Sequence, residues 1–121
     1  MSGNVLASTS LTPGVQASSQ LTTTAETAVL TVLANTSVKV ASSSLTNTTG
    51  TAVTVSVSVV KSGDTAGTTN RTLASYSLPA NTTLETIPGL KDAVLGAGDK
   101  ISMLAGTANA VNYCITGTVA A

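Results

Sequence analysis

The chain has 121 residues with five basic and five acidic side chains, no histidine and a formal net charge of zero. That length suits one domain. Charged residues make up only 8%, and Lys39, Lys61, Arg71, Lys91 and Lys100 are scattered, which excludes the clustered basic surface that nucleic acid requires. No run of eighteen apolar residues occurs, so no membrane span is expected.

Met1 to Thr24 shows no clean period. Val5, Leu6, Leu11 and Val15 are isolated among Ser, Thr, Gly and Gln, and Pro13-Gly14 breaks any regular element. The spacing predicts an extended arm that docks these four side chains on a neighbour. Its start, Met1-Ser2-Gly3-Asn4, carries no basic residue and leads into a polar stretch, so no secretion signal is expected.

Thr27–Leu33 reads as the first strand and Ser37–Thr46 as the second, with Val38, Val40 and Leu45 as core candidates and a bulge or a crossing between sheets near Ser42, Ser43 and Ser44. Leu45 to Lys61 reads as a hairpin turning at Asn47-Thr48-Thr49-Gly50. Beyond the turn, Val53, Val55, Val57 and Val59 alternate with Thr54, Ser56 and Ser58. A period of two puts the valines on a core and the hydroxyls in water. β-branched residues also disfavour a helix here. This strand is expected at the centre of the fold.

Ser62–Asn70 is a polar loop. Arg71–Leu78 reads as a strand anchored by Leu73, Tyr76 and Leu78. Leu73 and Tyr76 differ in parity, so either a kink separates them or Tyr76 faces outward. Thr83–Ile87 follows as a strand, and Leu90–Leu95 is ambiguous between a helical turn and a strand. Lys100–Ala105, with Ile101, and Ala110–Val119, with Val111, Tyr113, Ile115 and Gly117 on one face, complete the pattern. Cys114, the only cysteine, rules out an internal disulfide and is expected as a small core side chain.

Short strands at regular spacing between Gly, Pro and Asn turns predict an all-β fold. We expect a single antiparallel β-sandwich of jelly-roll or Ig-like type, with seven to eight strands. An extended arm over 1–24 would precede the sandwich domain over 25–121. Phe and Trp are absent, so the core is aliphatic. A nearly uncharged surface leaves little repulsion between copies; together these features suit a homo-oligomer.

Catalysis has little to draw on. Histidine, the usual acid–base group near neutral pH, is missing. Glu26, Asp64, Glu85, Asp92 and Asp99 show no defensible catalytic spacing. The dense acidic loop of a calcium site is absent, and turn aspartates capping backbone N–H groups are the plainer account. Gly96-Ala97-Gly98 opens no helix and lacks the Lys-Ser/Thr of a phosphate loop. The Asn-Xaa-Ser/Thr triplets at Asn35, Asn47, Asn70 and Asn81 read as turn chemistry. A sugar-binding site usually offers aromatic platforms, for which only Tyr76 and Tyr113 are present. No cofactor or metal site is expected.

From about Leu21 to Val119 the order of several phrases resembles small β-sandwich proteins of tailed-bacteriophage virions. The phrases are Leu21-Thr22-Thr23-Thr24, then Leu45-Thr46-Asn47-Thr48-Thr49-Gly50 with its alternating valines, then Ser62-Gly63-Asp64-Thr65-Ala66-Gly67. Asn70-Arg71-Thr72-Leu73, Gly98-Asp99-Lys100-Ile101 and Val111-Asn112-Tyr113-Cys114-Ile115-Thr116-Gly117 follow. The resemblance implies a non-enzymatic structural protein: a capsid decoration or cement protein, or a tail- or fibre-associated one. Expected partners are the major capsid protein and further copies of the chain, a trimer being favoured. Expected location is the virion, after synthesis in the host cytoplasm. No long fibre or coiled-coil segment is present, which favours the head.

Overall fold

A computed structural model describes residues 10–121. They form nine strands: β1 (Leu11–Gln20), β2 (Thr27–Thr31), β3 (Ser37–Asn47), β4 (Val53–Val60), β5 (Arg71–Leu78), β6 (Thr83–Leu84), β7 (Val94–Leu95), β8 (Lys100–Ala105) and β9 (Val111–Ala120). One sheet runs β1-β9-β3-β6, with β7 also on β3; the other runs β2-β8-β4-β5. Every pairing is antiparallel. No helix occurs among the described residues. The fold is all-β.

The core lies between the sheets. Val38, Val40 and Leu45 of β3 and Val111 and Ile115 of β9 meet Val53, Val55 and Val57 of β4 and Ile101 and Met103 of β8, all essentially inaccessible to solvent. Burying an aliphatic side chain of this size is favourable by roughly 1.5–3 kcal/mol, so many such contacts stand in for the missing large aromatics. Val59 and Leu73, read as core, are half-buried at its margin. β5 is an edge strand, which leaves Leu73 covered on one side only.

The arm expected over 1–24 is corrected for its described part. Val5 and Leu6 lie outside the described residues. From Leu11 to Gln20 the backbone pairs with β9 along its whole length, from Leu11 opposite Ala120 to Gln20 opposite Asn112. Leu21 then enters the core at 2% exposure, its N–H donating to the Val111 carbonyl. The free edge of β9 satisfies backbone groups that an arm would leave to water. Leu11–Gln20 is therefore a strand of the sandwich. Pro13-Gly14 and a register shift between Val15 and Ala17 break the alternation that would have marked a strand.

The hairpin reading of Leu45–Lys61 is also corrected. β3 and β4 belong to different sheets, so the turn after Asn47 is a crossing. Asn47 is fully buried. Its Oδ1 accepts from Thr49 N–H and Thr49 Oγ1, while Nδ2 donates to the carbonyls of Thr51 and Leu78. A side chain that satisfies this corner lets the chain leave one layer and enter the other.

Two local irregularities place side chains. The β3–β9 register shifts between Val40 and Ser42, near the three serines. Beside it, Gly117 opposes Val40, and a β-carbon there would run into the Lys39 carbonyl, so the strands close only over glycine. In β5 the kink falls at Ser75, with φ 49° and a register shift opposite Val55–Val57. Leu73 then pairs with Val57 and Tyr76 with Val55, both on the core side, although Tyr76 at the sheet edge keeps 37% exposure.

Candidate interaction face

The two sheets present unlike outer faces. On the four-stranded sheet, the serines of β4 are not wet. Ser58 lies opposite Ser102 of β8 on one side and Arg71 of β5 on the other, and both serines are buried. Arg71 Nη1 donates to Ser58 Oγ at 2.9 Å and to Glu26 Oε2 at 3.0 Å, and Nη2 donates to Glu26 Oε1 at 2.7 Å. Ser102 Oγ donates to Glu26 Oε2 at 2.7 Å. Ser56 Oγ accepts from the N–H of Ser75. Thus a bidentate ion pair roofs the hydroxyl row across the sheet.

The hydrogen bonds from Arg71 hold the Glu26 carboxyl below its ordinary range, with Ser102 adding to the effect against partial burial. The same pair raises Arg71. The carboxylate of Glu26 thus accepts three hydrogen bonds, two from Arg71 and one from Ser102.

The outer face of the five-stranded sheet is open. Its central row on β9 is Asn112, Cys114, Thr116 and Thr118. The register sets Gln20, Ser18, Val15 and Pro13 of β1 on one side and Thr46, Ser44, Ser42 and Lys39 of β3 on the other. Hydroxyls and amides bond laterally, as in Gln20 Nε2 to Asn112 Oδ1 at 3.0 Å and Thr46 Oγ1 with Thr83 Oγ1 at 3.0 Å. A shallow depression of about 420 Å³ lies over Ser18, Ser44, Thr46, Asn112 and Cys114. Another of about 380 Å³ lies over Pro13, Val15, Ala41, Thr116 and Thr118.

This face also carries exposed apolar side chains. Val15 is 64% exposed and Leu11 55%, so these two residues of the expected arm stand on a sheet and face solvent. Val94 of β7, opposite Lys39, is 56% exposed. Lys39 is the one charged side chain among the strand residues of this face. A partner can cover it with little desolvation of charge.

Cys114 needs correction. It is half-buried and absent from the core cluster. Strand alternation turns Val111, Tyr113 and Ile115 inward and Cys114 outward, between Ser18 and Ser44. Parity was the signal that could have placed it. Val94 could not be found that way, because the Leu90–Leu95 stretch has no period.

The turn chemistry is simple. Asp99 Oδ1 accepts from Ser62 N–H at 2.8 Å and Oδ2 from Gly96 N–H at 2.9 Å, which ties the turn before β8 to the exit of β4. Asn70 Oδ1 accepts from Gly67 N–H. No cluster of three metal-ligating side chains occurs among the described residues, and no helix there is long and apolar enough to cross a membrane. Tyr76 and Tyr113 sit on different sheets. No protein-family model, no curated protein and no solved structure matches this chain.

Proposed function

We propose that this chain is a non-enzymatic structural protein of a phage virion, a capsid decoration or cement protein that binds the outside of the assembled head and stabilises it. The observation that carries this reading is the outer face of the five-stranded sheet. It is hydroxyl-lined, bears Lys39 as its one charge within strands, and presents Leu11, Val15 and Val94 to solvent. Covering such a face exchanges hydroxyl–water bonds for hydroxyl–partner bonds and buries apolar surface. A partner that binds only the folded, mature arrangement stabilises it by mass action. The resemblance of its phrase order to small virion sandwich proteins supplies the context.

The partners proposed are the major capsid protein and further copies of the chain, with a trimer as the preferred assembly. A cyclic trimer closes a heterologous contact after three copies and gives the long edge strand β1 a neighbour. Labelling of intact particles with an antibody against this chain tests the reading. Many copies over the head support it. A few copies at the tail replace it with a minor tail or fibre-associated role. Absence from particles overturns both. A glycan-binding or host-attachment role has less support, because the two tyrosines share no platform.

A further inference from the structure

β1 ends the five-stranded sheet: it pairs with β9 on one side and with no described strand on the other. The ladder fixes which of its backbone groups face that open side. The N–H of Ala121 donates to the Ser10 carbonyl, and the N–H of Leu21 donates to the Val111 carbonyl. In an antiparallel pair, residues bonded to the partner alternate with residues whose N–H and C=O point away from it. From Ser10 onward, Thr12 and Gly14 therefore bond to β9, while Leu11, Pro13 and Val15 point away. Back from Leu21, Ser19 and Ala17 bond to β9, while Gln20 and Ser18 point away. The register shift between Val15 and Ala17 joins these two halves out of step, with Gln16 as the extra residue.

An open edge of this length is a template for strand addition, and charged side chains, lysine above all, are a common defence. Leu11–Gln20 contains no charged residue, and its Leu11 and Val15 side chains are largely exposed. The edge is nevertheless broken twice. Pro13 occupies an outward position, where a proline has no N–H to offer. The bulge then displaces every outward group after it. A straight strand laid along β1 finds donors at Leu11 and Val15 with a gap between them, or at Ser18 and Gln20, but never both sets in one register. The other edges are interrupted as well: β2 by a register shift between Ala28 and Leu30, β5 by shifts opposite Val55–Ser58, while β6 and β7 are two residues each.

We propose that Pro13 and the Gln16 bulge guard β1 against strand addition, so that copies of this chain and other partners meet it through side chains and not through an extended ladder. A neighbour beside β1 in the proposed trimer then covers Leu11 and Val15 without lengthening the sheet. The inference concerns the isolated chain and holds whether or not the virion reading does.

Combining Pro13→Val with deletion of Gln16 puts an outward donor at every second residue along the whole edge. Sedimentation velocity and amide hydrogen exchange on the full chain test the proposal. In the unaltered protein the amides of Leu11, Val15, Ser18 and Gln20 should exchange roughly tenfold or more faster than those of Thr12, Gly14, Ala17 and Ser19, at every protein concentration. The combined variant should associate at a concentration roughly tenfold lower than the unaltered chain, and the outward amides should become protected as it does. Pro13→Val alone breaks no bond to β9 and should shift association in the same direction by a smaller factor. Concentration-dependent protection of the outward amides in the unaltered chain would show that the edge already pairs, and overturns the proposal. Association of Pro13→Val no stronger than that of the unaltered chain also overturns it, whatever the deletion does to folding.

Discussion

The side chain of Asn47, at the end of β3, donates to the carbonyl of Leu78, at the end of β5, at 3.1 Å. The two strands belong to different sheets, so this buried bond fastens one layer to the other at the corner where the chain crosses. The other bonds of Asn47 shape the turn to Thr51. One amide therefore holds both the crossing and the closure of the layers.

Asn47→Ala should destabilise the protein by about 2 kcal/mol, since it removes the buried bond to the Leu78 carbonyl and takes the side-chain acceptor from the Thr49 N–H. Asn47→Asp keeps the acceptor but loses both donated bonds and brings a charge into the core, so it should cost no less. Denaturant unfolding with an unchanged m-value is the measurement. A loss under about 0.5 kcal/mol for both variants would mean that the corner holds without the side chain.

Glu26 and Arg71 give stability a defined pH dependence. The folded-state pKa of Glu26 lies below its ordinary value of 4.5, chiefly through the hydrogen bonds from Arg71. Folding therefore favours the ionised carboxylate. The contribution is fully present above about 4.5 and is lost as pH falls through the lower folded-state value. Arg71 stays charged throughout. Melting temperature should drop on acidification below that range, and Glu26→Gln should flatten the drop while lowering stability at neutral pH. Identical acid profiles for the two proteins would show that other carboxylates set the response.

Much of the fold was legible because period-two alternation survives where one face of a strand meets the core. Val53 to Val57, Lys100–Ala105 and Val111–Ile115 all show it. In Arg71–Leu78 the differing parity of Leu73 and Tyr76 left a kink or an outward Tyr76 as the two options, and the structure has the kink. What stayed hidden came from long-range pairing. Leu11–Gln20 reads as a tail until β9 lends it an edge. Asn47-Thr48-Thr49-Gly50 suits a hairpin turn and a crossing alike, because a local Asx turn does not encode the sheet its second strand joins. The ion pair of Glu26 with Arg71 spans 45 positions and has no local signature. The open face was half legible: Ser42–Thr46 and Asn112–Thr118 carry small polar groups at off-core parity, whereas Val94 lies in an aperiodic stretch.

The serines of β4 should behave as interior groups. Val57→Ala removes fully buried methyl groups and should cost roughly 1–3 kcal/mol. Ser56→Ala takes the acceptor from the N–H of Ser75, a residue held at positive φ, and should cost about 1–2 kcal/mol. A wet hydroxyl face predicts instead that Ser56→Ala is neutral. Comparing the two by urea unfolding separates a strand buried on both faces from one buried on a single face.

Cys114 reports directly on the open face. It sits at the centre of that face between Ser18 and Ser44 and is half-buried by them. In the free protein, a small thiol reagent should modify it fully without unfolding, more slowly than in denatured chain. Complete resistance in the native free protein would place the side chain inside and sink the face assignment. On assembled particles the rate should fall at least tenfold if the five-stranded sheet is the contact surface. A maleimide carrying a bulky polymer at Cys114 should leave the free fold intact and abolish incorporation. Equal labelling rates on and off the particle, with normal incorporation of the polymer conjugate, would move the contact surface away from this sheet. The virion reading would then need another face, and the ion pair of Glu26 and Arg71 over the opposite sheet is poorly suited to that part, because covering it takes a charged pair out of water.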